Sequence, residues 1–334
     1  MKAWRVYVTG DMRLDDIPLP EVKPGSVLMK VKLLQLSVTE VVRLQSGLGN
    51  LEETIKEKGP IQLGGHEFCG EVVEVGEGVE NVKVGERGFW VHGRMPNCLA
   101  EYTAPLASDV MSIPDVISDN EAAAMQPLVS SIGYVYTAKI ELGDTVAVLG
   151  QGVMGLNCMQ ISRVCGAGRV IGVDVRDESL AVSAKLGADI TIDAHKVDPV
   201  EAVLEITKGV GADVIFECAG GNPAQGLSAT KTLNQALSMV RNNGKIMQVG
   251  LLPHDATVPV SVLNDKSIRY MGHVFGPFRL ANYAVNLVKS KRVQVAPYIT
   301  HVLEGLDKVP KAIEITGNKT KYGAINPAQV VVAQ

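Results

Sequence analysis

Three glycines within six residues, Gly150-Gln151-Gly152-Val153-Met154-Gly155, follow directly on the apolar run Thr145-Val146-Ala147-Val148-Leu149. The G-x-G-x-x-G spacing carries chemistry where a strand runs into a helix. The first glycine then turns the chain tightly, the second lets backbone approach a pyrophosphate, and the third lets helix and strand pack closely. Val153 and Met154 open the helix, whose N-terminus favours an anion. A second apolar run, Arg169-Val170-Ile171-Gly172-Val173, ends at Asp174, about 20 residues further on, where a carboxylate can accept hydrogen bonds from both hydroxyls of an adenosine ribose. That charge repels a 2′-phosphate and points to NAD(H) over NADP(H), although Arg176 is the residue type that accommodates such a phosphate. The structural alternative is an ordinary strand-turn-helix with a solvent-facing Asp174.

A second set of chemically able side chains precedes this motif. Ser37-x-x-Glu40 ahead of Val38 to Gln45 has the form of a capping box, worth about 1 kcal/mol to a helix. His66, between Gly65 and Glu67, is either a buried, hydrogen-bonded histidine or an active-site group. In a site without metal, His66 or Thr39 can donate the hydrogen bond that stabilises a developing alkoxide or enolate, typically worth about 3 kcal/mol, and then supply the proton.

The elements that position these residues change character along the 334-residue chain. Residues 1–120 read as β-rich: after Pro24-Gly25, Val27, Met29, Val31 and Leu33 alternate with Leu28, Lys30 and Lys32, as in a strand with one buried face of an antiparallel module. Over 121–285, helices alternate with wholly apolar strands near 145–149, 169–173, 213–217 and 245–249, which implies a parallel sheet covered on both faces. The segment 286–334 follows a helix over Tyr283 to Lys289, reads as strand at Tyr298 to Val302 and Gln329 to Val332, and is expected to return to the first domain.

A net charge of −4 shows no basic excess for nucleic acid. Five cysteines without close-spaced pairs fit reduced thiols, with Cys158 and Cys165 on one buried helix face. No apolar stretch reaches membrane-spanning length, so a soluble, cytoplasmic protein is expected.

Gly65-His66-Glu67-Phe68-Cys69-Gly70-Glu71-Val72-Val73-Glu74-Val75-Gly76, taken with the glycine motif, resembles the zinc-type medium-chain alcohol dehydrogenases, polyol and threonine dehydrogenases above all. Asp213-Val214-Ile215-Phe216-Glu217-Cys218-Ala219-Gly220 is similar to that family's D-V-x-x-E-C-x-G, and Gly244 to Leu251 to its next strand. The resemblance implies an α/β fold: a GroES-like β-rich catalytic domain beside a doubly wound parallel-sheet Rossmann domain. It further implies NAD(H)-dependent hydride transfer in a cleft between them, and a homodimer or homotetramer joined through the cofactor domain. Cofactor contacts are implied at Ala219, Gly250, Leu251 and His273, and a substrate-pocket position at His92, for which an exposed loop histidine is the plain alternative.

The sequence also departs from the family. Ser37-Val38-Thr39-Glu40 matches the segment C-x-[ST]-D, so serine stands where the first zinc ligand would be. Gln126, before Pro127-Leu128, replaces a glutamate, and Phe89 to Glu101 holds only Cys98 where a four-cysteine structural-zinc lobe belongs. Thr39 matches the hydroxyl that takes the substrate proton, but the relay histidine three residues on is Val42. A neutral hydroxyl and amide bind a divalent ion far more weakly than a thiolate and carboxylate. The expectation is an NAD(H)-dependent oxidoreductase that interconverts a secondary alcohol and a ketone without metal, in a site formed by Ser37, Thr39, His66, Glu67, His92 and Gln126. The alternatives are a zinc held by His66, Glu67, water and Ser37, reduction of an activated C=C bond, and a non-catalytic dinucleotide-binding protein.

Overall fold

Bulges and bends decide how far simple alternation survives in the strands of this protein. The computed structural model describes residues 1–46, 51–62, 64–220, 230–252, 257–272 and 278–333. The chain divides into two compact units, one of Met1–Pro127, Ala281–Lys289 and Val295–Gln334, the other of Leu128–Leu280 and Ser290–Gln294.

In the first unit, β1 (Lys2–Val8), β2 (Asp11–Asp16) and β4 (Ile61–Gln62) form a small antiparallel sheet. A larger one has the order β15 (Val302–Glu304), β16 (Gln329–Val331), β3 (Val27–Gln35), β5 (Glu67–Val75), β6 (Arg87–Trp90), β8 (Val110–Ser112), with β7 (Tyr102–Thr103) also on β3. Its pairs are antiparallel except β15 with β16, which are parallel, a departure from the wholly antiparallel module expected. The alternation expected of β3 is also broken. Its register with β5 shifts twice, at Leu28/Met29 and Val31/Leu33, and Leu28, expected to face outward, is buried together with Leu33 and Leu34. Val27, Met29, Val31, Phe68, Val72 and Trp90 belong to the core that results. Helices α1 (Val38–Ser46), α2 (Leu51–Lys58) and α3 (Asp119–Ala123) lie between the strands. Near the C-terminus, Ala296–Tyr298 is a 3-10 turn carrying Pro297, and the strand expected from Tyr298 begins only at Val302. α11 (Val309–Gly317) and α12 (Lys319–Tyr322) precede the last strand.

The second unit is a six-stranded parallel sheet of order β11 (Ile190–Asp193), β10 (Arg169–Asp174), β9 (Thr145–Leu149), β12 (Ala212–Glu217), β13 (Val240–Gln248), β14 (Arg269–Met271). Counted within the unit this is 3-2-1-4-5-6, the doubly wound Rossmann order, and it reverses at β9. Helix α4 (Met125–Ala138) leads into β9, helices α5 (Val153–Val164), α6 (Asp177–Lys185), α7 (Pro199–Ile206), α8 (Lys231–Met239) and α9 (Val260–Asp265) connect the strands, and α10 (Arg279–Lys289), which from Ala281 belongs to the first unit, starts earlier than the expected Tyr283. Because the central strands are buried on both faces, Val146, Ala147, Val148, Val214, Ile215 and Phe216 are fully enclosed. Cys158 is buried on α5 as expected, but Cys165 is exposed: the helix ends at Val164 and Cys165 is its C-cap. No helix among the described residues is long and apolar enough to cross a membrane.

One ion-pair cluster ties α3 to the larger sheet. Asp119 accepts from Arg87 Nη1 at 2.5 Å and stands 3.3 Å from Lys32 Nζ. Burial by itself raises the Asp119 pKa, but the two cations outweigh it and hold the carboxyl below its usual value. A depressed folded pKa gives stability that is present at neutral pH and lost as pH falls through it. Asp119→Asn should therefore cost about 1–2 kcal/mol at pH 7, and the cost should shrink as pH falls below the ordinary carboxyl value of 3.8, as measured by urea unfolding across that range.

Candidate functional site

The first turn of α1 uses Glu40 twice. The Glu40 N–H donates to Ser37 Oγ and the Ser37 N–H to Glu40 Oε2, each at 3.3 Å, which is the capping box read from the sequence. The other oxygen, Oε1, lies 3.0 Å from His66 Nδ1. A carboxylate can only accept, so Nδ1 carries the proton and Nε2 is the accepting nitrogen of the ring. The ring meets Trp90 edge-on at a centroid distance of 5.8 Å and keeps 14 % of its side chain exposed.

Glu67 opens β5, opposite Gln35 at the end of β3, and its Oε2 accepts from Gln35 Nε2 at 2.5 Å. Gln35 Oε1 in turn accepts from Asn326 and, at 3.0 Å, from Gln329. The second oxygen of Glu67 is 3.8 Å from His66 Nε2, beyond hydrogen-bond reach. Burial pushes the Glu67 carboxyl up to about 7, against the opposing pull of His66 and Gln35.

The structure thus brings Ser37, Glu40, His66 and Glu67 together, and Glu40 is the member the sequence reading left as a mere cap. Its signal was the acid that ends the segment matching C-x-[ST]-D. Gln35 had no sequence signal, because only the β3–β5 register places it. Thr39 is exposed on the first turn of α1, and Gln126 is buried in the first turn of α4. His92 is half-buried. Burial raises the pKa of nearby Asp109 and His92 opposes that rise.

A catalytic zinc needs three or more deprotonated N, O or S donors converging on one point. Here Ser37 Oγ accepts from the helix cap, Glu40 faces the opposite ring nitrogen from Glu67, and burial drives Glu67 toward its neutral form. Among the described residues no group of three or more His, Cys, Asp and Glu is placed to hold a metal ion. This donor set does not fit a zinc.

The glycine motif lies at the end of β9. Gly150 has φ +89° and comes so close to Ala219 that a Cβ there would meet its backbone at 2.9 Å. A Cβ on Gly155 would run into the Gly150 carbonyl, whereas one on Gly152 would meet nothing within 4 Å. Close packing therefore demands two of the glycines, and the third leaves open space at the N-terminus of α5, as a pyrophosphate needs. Val153 is buried, and Met154 Sδ takes a 3.7 Å contact from Ser131 Oγ.

Asp174 is not solvent-facing: its side chain is 8 % exposed. Its carboxylate accepts from the backbone N–H groups of Gln151, Val175 and Arg176 at 2.6, 2.8 and 3.0 Å, and Arg176 Nε stands 3.7 Å away. Three of its roughly four lone-pair sites are thereby used, which leaves about one for a ribose hydroxyl in place of the two expected. Ala219 and Gly250 share this end of the sheet with Gly150, since all their strands are parallel. Leu251 beside them is exposed. His273 lies outside the described residues.

Comparison with known proteins places both units. Residues 153–290 match the family model for zinc-binding dehydrogenases, and residues 23–115 that for the alcohol dehydrogenase GroES-like domain. The chain is 30 % identical over 311 residues to the sorbitol dehydrogenase of Bacillus subtilis (strain 168), covering 84 % of this chain and 83 % of that one. It is 30 % identical over 324 residues to an L-threonine 3-dehydrogenase of Bacillus velezensis, covering 87 % and 88 %. Among solved structures, a zinc-binding dehydrogenase of Sinorhizobium meliloti 1021 bound to NADP superimposes with a TM-score of 0.82 at 26 % identity, over 100 % of this chain and 99 % of that one.

The raised Glu67 pKa has a consequence for stability. Between its ordinary value of 4.5 and the folded value of about 7, the folded state binds more protons than the unfolded one, so stability falls as pH rises through this window. The limiting loss is roughly 3 kcal/mol at 1.36 kcal/mol per pH unit. Glu67→Gln should remove this slope: thermal unfolding of the variant and parent should converge near pH 4.5, and the variant should be the more stable at pH 8.

Proposed function

This chain belongs to the zinc-type alcohol dehydrogenase family of medium-chain oxidoreductases, and from that premise we propose that it interconverts a secondary alcohol and a ketone by hydride transfer with NAD(H), without a catalytic zinc. The observation that carries the reading is the Glu40–His66 pair, a ready proton carrier where the family pattern calls for a metal site. Sorbitol and threonine, for which the relatives are named, both contain a secondary alcohol. Assembly of identical copies through the cofactor unit belongs to the same reading.

A nicotinamide dinucleotide, when bound, supplies or accepts the hydride. Gly150 and Gly152 would admit its pyrophosphate to the N-terminus of α5, and Asp174 would take a ribose hydroxyl and repel a 2′-phosphate. The NADP-bound structural neighbour favours a second reading of the cofactor, in which Arg176 turns from Asp174 to a 2′-phosphate.

Protons move through His66. With Glu40 accepting at Nδ1, the neutral ring takes the hydroxyl proton of the alcohol at Nε2 during oxidation. In reduction the protonated ring donates from Nε2 to the developing alkoxide, an interaction worth about 3 kcal/mol, and then releases the proton to it. Glu40 holds the ring in the orientation both steps need, and the exposed Thr39 hydroxyl offers a second donor.

Metal content per chain, measured on protein purified without chelator, tests this directly when a chelator-treated aliquot is assayed for NADH and NADPH oxidation against paired ketones and enones. The expected result is negligible metal, chelator-insensitive ketone reduction and a preference for NADH. His66→Gln should lower kcat/KM by about 100-fold or more, and Glu40→Gln by less. About one zinc per chain with chelator-sensitive turnover sinks the metal-free reading. Turnover of enones alone moves the reaction to C=C reduction, and dinucleotide binding without turnover of either panel makes the protein a non-catalytic binder.

The glycines give a separate check. Gly152→Ala should unfold within about 0.5 kcal/mol of the parent yet lose dinucleotide binding, because the new methyl group fills only the space left for the pyrophosphate. Gly155→Ala should instead lose about 2 kcal/mol or more of stability, because its methyl group meets backbone. Calorimetry paired with a fluorescence titration of NADH separates the two effects.

A further inference from the structure

One buried carboxylate in the Rossmann unit has no part in the chemistry above. Glu217 ends β12 with none of its surface exposed. Its Oε1 accepts from the Ala219 N–H at 3.0 Å and the Thr232 hydroxyl at 2.7 Å, its Oε2 accepts from Gln248 Nε2 at 2.5 Å, and the Gly220 N–H also donates to the carboxylate. Its main-chain carbonyl accepts from the Val249 and Gly250 N–H groups at 2.9 and 2.7 Å. A single residue therefore fastens the ends of β12 and β13 and the start of α8.

Gln248, its register partner on β13, extends the chain. The Gln248 amide also donates to the Gly250 carbonyl at 2.7 Å, and its Oε1 accepts from the Tyr270 hydroxyl at 3.0 Å on the edge strand β14. The glycines nearby leave room for the carboxylate: a Cβ on Gly250 would stand 2.9 Å from Glu217 Oε2, and one on Gly220 3.2 Å. A carboxylate has no proton to offer, so four donors aimed at it are satisfied together only by an ionised acid. Burial raises its pKa and these donors oppose the rise. Strand packing needs none of this. The arrangement instead fixes which way the Ala219, Gly220 and Gly250 backbone points, at the end of the sheet where Ala219 closes on Gly150.

We propose that Glu217, backed by Gln248 and Tyr270, is a positioning residue for the dinucleotide: it holds the Ala219–Gly220 and Gly250 backbone in the shape the cofactor binds, and so sets cofactor affinity without entering the chemistry. The proposal rests on the nicotinamide-cofactor reading above. Its test compares wild-type full chain with Glu217→Gln and Tyr270→Phe, by fluorescence titration of NADH and by steady-state kinetics with cofactor varied at saturating substrate. Glutamine keeps the shape of the side chain but turns an amide N–H toward groups that are themselves donors. The NADH Kd of Glu217→Gln should rise about tenfold or more, as for loss of one charge-assisted hydrogen bond, and its cofactor KM should rise with it while kcat stays within about twofold. Tyr270→Phe, half-exposed and therefore expected to fold, should raise both by about two- to threefold in the same direction.

Wild-type NADH affinity in both variants overturns the proposal, even if their melting temperatures fall, because that pattern is structural support alone. Should Glu217→Gln fail to fold, an unchanged Kd in Tyr270→Phe overturns it by itself. Wild-type protein that binds neither NADH nor NADPH refutes the cofactor reading and the inference with it, an outcome the wild-type control keeps distinct from the others.

Discussion

A carboxylate removed from water must be met by donors, and three buried acids, Glu40, Glu67 and Glu217, impose that demand on the strand ends and helix starts around them. Each meets it differently. Glu40 takes a helix cap on one oxygen and an imidazole on the other. Glu217 gathers backbone N–H groups, a hydroxyl and an amide. Glu67 has one amide and an imidazole beyond bonding distance, and with fewer donors it is pushed toward neutrality. Burial raises the pKa of both Glu67 and Glu217, and for Glu67, with the fewest donors, it reaches about 7.

In the first unit one helix cap organises the surroundings of His66. Ser37 spends its hydroxyl on the cap of α1. Glu40 then faces His66 because that cap places it there. The capping box and the Glu40–His66 pair share one carboxylate, and the geometry of one cannot change without the other. On the far side, Gln35 ties Glu67 to Asn326 and Gln329 at the C-terminal end of the chain. Residues at 35, 67, 326 and 329 are brought together by the order β16-β3-β5 in the larger sheet.

Local patterns foretold the parts of the fold that depend on neighbours in sequence. Thr145 to Leu149 and Arg169 to Val173 are apolar on every residue that a doubly covered strand must bury, and both are strands. The Ser37–Glu40 spacing foretold a cap, and the cap is there. Local patterns failed where strand register, a helix end or a folded turn decided the outcome. Leu28 is buried because β5 slips in register against β3, and Cys165 left the core because α5 stops one residue before it. Asp174 looked like a carboxylate with both oxygens to spare, and its three backbone donors come from the turn folded over it.

By itself the sequence determined an α/β chain with a β-rich first part, a doubly wound second part, and a strand-turn-helix whose glycines suit a pyrophosphate. These follow from periodicity and from the steric freedom of glycine, and both act over a few residues. Only the tertiary structure decided that Glu40 meets His66 at Nδ1, that burial leaves Glu67 with a raised pKa against the pull of Gln35, and that Glu217 gathers the ends of two strands and a helix. Those outcomes are hydrogen bonds between residues as much as 294 positions apart, such as Gln329 to Gln35, and burial is what makes each of them strong enough to matter. Chain spacing cannot encode such pairings, because they exist only once the sheets have assembled and the water has gone.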